Sequence, residues 1–172
     1  MKIIFSDKRP RDECAIFGVS KNSQAAQLVA LGLHALQHRG QDSTGVVTTD
    51  NVNFFAHRGM GQVSEVFSDK KVFSHLKGDL SIGHNRYGTT GESALKNVQP
   101  LFSELNIGGL AIAHNGNLTN TNFLREEFIK DGAIFQSTSD TEVILHLISR
   151  SKGDLIDRLI YSLHSIKGAY SL

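Results

Sequence analysis

The chain has 172 residues, 40% hydrophobic and 20% charged, with eighteen Lys and Arg against seventeen Asp and Glu for a net charge of +1. That balance offers no basic footprint for nucleic acid or an acidic membrane, no apolar run approaches the roughly 18 residues of a membrane span, and one cysteine excludes an internal disulfide or a cysteine-built metal cage. The length suits one domain with a proper core and the N-terminus lacks the apolar stretch of a secretory signal, so a cytoplasmic single-domain enzyme or module is expected.

Residues 1–13 carry seven charges and read as a leader ahead of the first buried element, Ala15-Ile16-Phe17-Gly18-Val19. Ala25, Leu28, Val29, Gly32, Leu33 and Leu36 follow the helical i, i+3, i+4, i+7 spacing, with Gly40 where a stop belongs. Strand-like runs follow at 45–49 and 53–57, joined by a hairpin at Asp50-Asn51, and again at 80–84 and 109–114. Leu124 and Phe128 mark a short helix ending at Gly132. Ser139-Asp140-Thr141-Glu142 has the form of a capping box before a helix whose apolar face is Val143, Ile144, Leu147 and Ile148. A last helix follows Asp154, with Leu155, Leu159 and Leu163 on one side. The chain closes on Ala169-Tyr170-Ser171-Leu172, the start of a further strand, which predicts a domain cut short at its C-terminus. Strands in clusters favour antiparallel sheets with helices packed outside them.

Local signatures of nucleotide binding fail: there is no phosphate-binding loop, and Gly59-Met60-Gly61 lacks a third glycine. His34 and His38 share a helix face, yet the rest of a metal site is missing. Cys14 has two readings. One is a small buried hydrophobe. The other rests on its place at the border of the leader and the first strand. If the leader were removed after Glu13, the α-amino group of Cys14, with a pKa of about 7.7–8.0, could serve as base for its own thiol. Thiolate attack on a carboxamide would then release ammonia. Asn115 and Gly116, directly after an apolar strand, could hold the developing oxyanion or form a plain turn. Arg86, at the end of another strand, suits a carboxylate or a structural ion pair. Asp140 suits a helix first turn or a bound ammonium.

In their order, Cys14-Ala15-Ile16-Phe17-Gly18, His38-Arg39-Gly40-Gln41-Asp42-Ser43-Thr44-Gly45, Gly83-His84-Asn85-Arg86-Tyr87-Gly88-Thr89-Thr90-Gly91, Ala113-His114-Asn115-Gly116-Asn117-Leu118 and Ser137-Thr138-Ser139-Asp140-Thr141-Glu142 resemble the class II glutamine amidotransferases, within the N-terminal nucleophile hydrolases. Gln41 and Tyr87 make the chain resemble the amidophosphoribosyltransferase branch more than the branch with a sugar-phosphate acceptor, which remains the alternative beside a non-catalytic remnant. Gly88 departs from the Ser, Pro or Ala that relatives often carry there. The resemblance implies an α+β fold, a four-layer α-β-β-α sandwich of two antiparallel sheets, over residues 14–172. It implies Cys14 as nucleophile, Asn115 and Gly116 as oxyanion hole, Arg86 with Thr89 nearby at the glutamine α-carboxylate, and Asp140 at its α-ammonium. Arg39 would support the surroundings of the nucleophile. The chain alone would at best hydrolyse glutamine. The phosphoribosyltransferase domain that would pass ammonia to phosphoribosyl pyrophosphate, making 5-phosphoribosylamine for purine synthesis, is absent from this chain. Magnesium, an iron–sulfur cluster in some relatives, and a homotetramer are implied for the complete enzyme, and no cofactor for this chain.

Overall fold

The computed structural model describes residues 14–87 and 94–172; the expected leader, residues 1–13, and Gly88 and Thr89 lie outside the described residues. Strand β1 (Ala15–Val19) leads into helix α1 (Ala25–Ala35), followed by β2 (Ser43–Thr49) and β3 (Phe54–Met60). Two single-turn helices, α2 (Val63–Val66) and α3 (Val72–His75), precede β4 (Leu80–Arg86). Next come β5 (Leu101–Leu105), β6 (Gly108–Ile112), β7 (Asn115–Leu118), α4 (Thr121–Lys130), α5 (Thr141–Arg150), α6 (Leu155–Ser165) and β8 (Gly168–Ser171). Among the described residues no helix is long and apolar enough to cross a membrane.

The first sheet is antiparallel in the order β1-β4-β2-β3. One face of it is covered by α1. Val29, Ala30 and Leu33 pack there with Val46 and Phe17 in one core. Asn85, facing the same way, donates Nδ2–H to the Leu33 carbonyl at 2.7 Å and so anchors the helix on the sheet. All seven residues of β2 are buried. A strand covered on both faces cannot show the alternation of a half-exposed one. The second β layer consists of two ribbons, β5-β6 and β7-β8, where one continuous sheet is expected. It meets the first at Phe54 and Phe102, whose ring centroids are 4.8 Å apart. A second core joins Leu101, Ile112 and Leu118 of the ribbons to Val143, Ile144, Leu147 and Ile148 of α5, with Leu159 and Leu163 of α6 packed against it. The order of layers is therefore helix, sheet, ribbons, helices, the α+β sandwich expected.

Several local expectations need correcting. Helix α1 ends at Ala35, and a separate 3-10 turn spans Gln37–Arg39. Gly40 caps the end of this 3-10 turn, not of α1, and does so in an extended conformation with φ −167°. It is required because a Cβ there would lie 2.8 Å from the carbonyl carbon and oxygen of Arg86. Asn115 and Gly116, for which a plain turn is one of the two readings, instead lie in β7, which pairs with β8 some fifty residues away in the chain. The capping box is not made as drawn. Asp140 is the helical N-cap of α5 but gives no side-chain cap. Ser139 Oγ instead accepts the Thr141 N–H at 3.2 Å. Glu142 reaches further back, accepting from Gln136 N, Ser137 N and Ser137 Oγ at 2.6–2.8 Å.

Candidate active site

Cys14 sits just before β1 with φ +59°, a left-handed conformation uncommon for a residue bearing a Cβ. Arg39 clasps its backbone from both sides. The Cys14 N–H donates to the Arg39 carbonyl at 3.0 Å, and Arg39 Nε–H donates to the Cys14 carbonyl at 2.9 Å. The 3-10 turn after α1 makes this grip possible, because it turns Arg39 toward the end of β4. The backbone N–H of Tyr87 points at Cys14 Sγ, 3.5 Å away. Asn115 Nδ2–H donates to the Cys14 carbonyl at 3.4 Å, a long contact that places the amide beside the thiol's own residue.

Two opposite charges share the cleft with this cysteine. It is lined by Cys14, Arg86, Tyr87, Asn97, Gln99, His114, Gly116, Thr138, Ser139 and Asp140. Arg86, 6% exposed at the end of β4, makes an ion pair with Asp42 at 3.0 Å. The structural ion pair and the cleft position therefore coexist in one residue. A guanidinium has five N–H donors and can serve both.

Asp140 is held at the N-terminus of α5. Burial pushes its carboxyl upward, but the His114 side chain and the backbone N–H of Leu118 outweigh this and hold it below the ordinary carboxylate value. His114 Nδ1 is 3.3 Å from Asp140 Oδ1, and Leu118 N–H is 3.3 Å from Oδ2. The loop before Asp140 is braced on three sides. Glu142 takes the donors named above, and Arg125 donates to the carbonyls of Ser137 and Ser139 at 3.0 and 2.6 Å. Asn97 and Thr138 exchange two hydrogen bonds at 2.8 and 2.9 Å. Beneath the cleft, His84 is 1% exposed and neither ring nitrogen has a hydrogen-bond partner among the described residues. Burial first, then repulsion by His114, lowers its pKa from 6.5 to about 3.

Gly116 lines the cleft from β7 with φ +144°, and a Cβ there would run into the Ala169 carbonyl of β8. Only glycine fits this ribbon without strain.

The fold thus gathers Cys14, Arg86, Gly116 and Asp140 around one cleft, with Asn115 and Arg39 touching Cys14. Thr89 lies outside the described residues. His34 instead borders an apolar groove between α1 and the two short helices. Sequence reasoning missed Asp42 and His114 as working partners, although both stand inside the quoted motifs. It missed Asn97 and Gln99 entirely, since their stretch carries no period or motif. Among the described residues no three His, Cys, Asp or Glu side chains converge as a metal site.

Known proteins resemble this chain in sequence and in fold. A family model described as a glutamine amidotransferase domain matches residues 56–163. An amidophosphoribosyltransferase of Rhizobium etli is 52% identical over 94% of this chain and 33% of its own length. One of Lacticaseibacillus casei is 44% identical over 93% of this chain and 83% of its own. The solved structure of glutamine phosphoribosylpyrophosphate amidotransferase from B. subtilis, complexed with ADP and GMP, superposes with a TM-score of 0.83 at 45% identity, covering 90% of this chain and 33% of that one. The chain spans about a third of the Rhizobium and Bacillus proteins. It belongs to the glutamine amidotransferase domain family, in the amidophosphoribosyltransferase branch.

Proposed function

We propose that this domain hydrolyses glutamine with Cys14 as an N-terminal nucleophile, freed by removal of residues 1–13. The observation that carries this reading is the cleft in which Cys14 shares one space with a guanidinium, Arg86, and a carboxylate held ionised, Asp140. An α-amino acid presents the complementary pair of charges. Arg86, steadied along one edge by Asp42, would take the α-carboxylate, with Thr89 near it, and Asp140 would take the α-ammonium. With its α-amine free, Cys14 would pass its thiol proton to that nitrogen, which Arg39 already grips through its carbonyl. The sulfur would attack the carboxamide carbon, and the carbonyl pair would move onto oxygen. Asn115 Nδ2–H and the Gly116 N–H would receive this charge, the first turning from its long contact with Cys14. As the carbonyl re-forms, the C–N bond breaks and the protonated amine of Cys14 gives its proton to the amide nitrogen, which leaves as ammonia. Water then cleaves the thioester to give glutamate and restores the thiol.

In the complete protein the ammonia would meet phosphoribosyl pyrophosphate and form 5-phosphoribosylamine, in the cytoplasm and within a homotetramer. The name shared by the relatives above supports the acceptor; the cytoplasm and the homotetramer rest on the resemblance of the motifs alone. Magnesium and any iron–sulfur cluster would be held outside this domain, which has one cysteine and, among the described residues, no three converging carboxylates. The test is ammonia release from glutamine by protein beginning at Cys14. Turnover is expected in the parent and should vanish in Cys14→Ala. Undiminished hydrolysis by Cys14→Ala would overturn the proposal.

A further inference from the structure

We propose that His114 is a positioning residue for Asp140, and through it a determinant of preference for substrates bearing an α-ammonium. The proposal rests on the glutamine reading above. His114 is 2% exposed, and its Nδ1 lies 3.3 Å from Asp140 Oδ1 and 3.4 Å from Thr141 Oγ1. A carboxylate beside it accepts a hydrogen bond, which selects the ring form with hydrogen on Nδ1. Its Nε2 is buried with no partner among the described residues. Substrate cannot reach that atom, so the ring acts on the cleft only through Nδ1. The backbone is fixed as well, because the Gln99 side chain accepts the His114 N–H at 2.7 Å. With the Leu118 N–H on Oδ2, His114 on Oδ1 leaves the Asp140 carboxylate one orientation. A fixed anion meets an ammonium without losing side-chain freedom on binding.

Two amides of similar size separate this role from packing. In His114→Asn the amide stands near the place of Nδ1 and can still donate to Asp140. In His114→Gln it stands near the place of Nε2 and cannot. The readout, on the full-length protein, is the KM for glutamine against the competitive inhibition constant of 4-carbamoylbutanoate, which is glutamine without its amino group. Both are independent of the fraction of active protein, so partial misfolding does not blur them. His114→Gln should lower the preference for glutamine by about tenfold, while His114→Asn keeps it within about twofold. An unchanged preference in His114→Gln, beside a collapsed one in Asp140→Asn, would overturn the role of His114 and leave the glutamine reading standing. An unchanged preference in Asp140→Asn would overturn the ammonium site itself.

Discussion

Acid should destabilise this fold through His84, well before its carboxylates protonate. The unfolded chain offers a histidine of pKa about 6.5, whereas in the fold His84 holds its proton only below about 3, because burial and the neighbouring His114 disfavour the charged ring. Between those values the unfolded state binds more protons than the folded one, so stability falls as pH falls across that window. From pH 7 to pH 5 the expected loss from this residue alone is about 2 kcal/mol, since each pH step below about 6.5 costs about 1.36 kcal/mol. His146, also lowered by burial, acts in the same direction, while Asp140, held low, contributes only near and below the carboxylate range. The assay is urea unfolding at pH 7 and pH 5 for the parent and for His84→Leu, which replaces the ring by an apolar side chain of similar volume. The contribution of His146 cancels in the comparison. The parent should lose about 2 kcal/mol more than the variant, a difference of roughly 1 M in midpoint shift for a urea slope of about 1–3 kcal/mol/M. Equal losses in the two proteins would refute the argument and show that His84 has a partner or a route to water.

Asn115→Ala should leave the KM for glutamine nearly unchanged and lower turnover by about 10²–10³, the usual effect of deleting one oxyanion donor; steady-state kinetics on ammonia release decide it. Protein still joined through Glu13 should be essentially inactive, since an amide nitrogen is no base and proton transfer by a positioned base is typically worth about 10²–10⁴. Intact-mass analysis beside the hydrolysis assay checks this, and equal rates with and without residues 1–13 would end the N-terminal-nucleophile mechanism. Glu142→Ala should cost about 1.5–3 kcal/mol in thermal unfolding, because it strands the buried donors of Ser137 and the Gln136 N–H.

How much could be read from residues alone follows from the range of the interactions involved. The helices α1, α4, α5 and α6 were legible because each turn repeats an apolar residue within four positions. The cap of α6 is equally local: Asp154 accepts the Asp157 N–H at 2.9 Å. The Asp50 turn was legible too, since that side chain takes the N–H groups of Val52 and Asn53. Motif order also named Cys14, Arg86, Asn115, Gly116 and Asp140 as chemistry, because only those residue types in that succession resemble the family. Pairing over distance was not legible. Strand β7 exists only because β8 lies beside it, and neither four-residue segment can satisfy its own backbone groups. Gly40 looks like a mere stop in the sequence, because its contact with the Arg86 carbonyl lies 46 positions along the chain. The apolar pattern likewise gave no hint that Glu142 would bind Gln136 and Ser137 instead of closing a box with Ser139. The cleft draws on residues 14, 86, 87, 97, 99, 114, 116 and 138–140, so its geometry came into being only when sheet register and loop bracing brought those stretches together. Residue order determined which groups were available; packing of the two β layers decided that His114 would meet Asp140 and that Arg39 would hold Cys14.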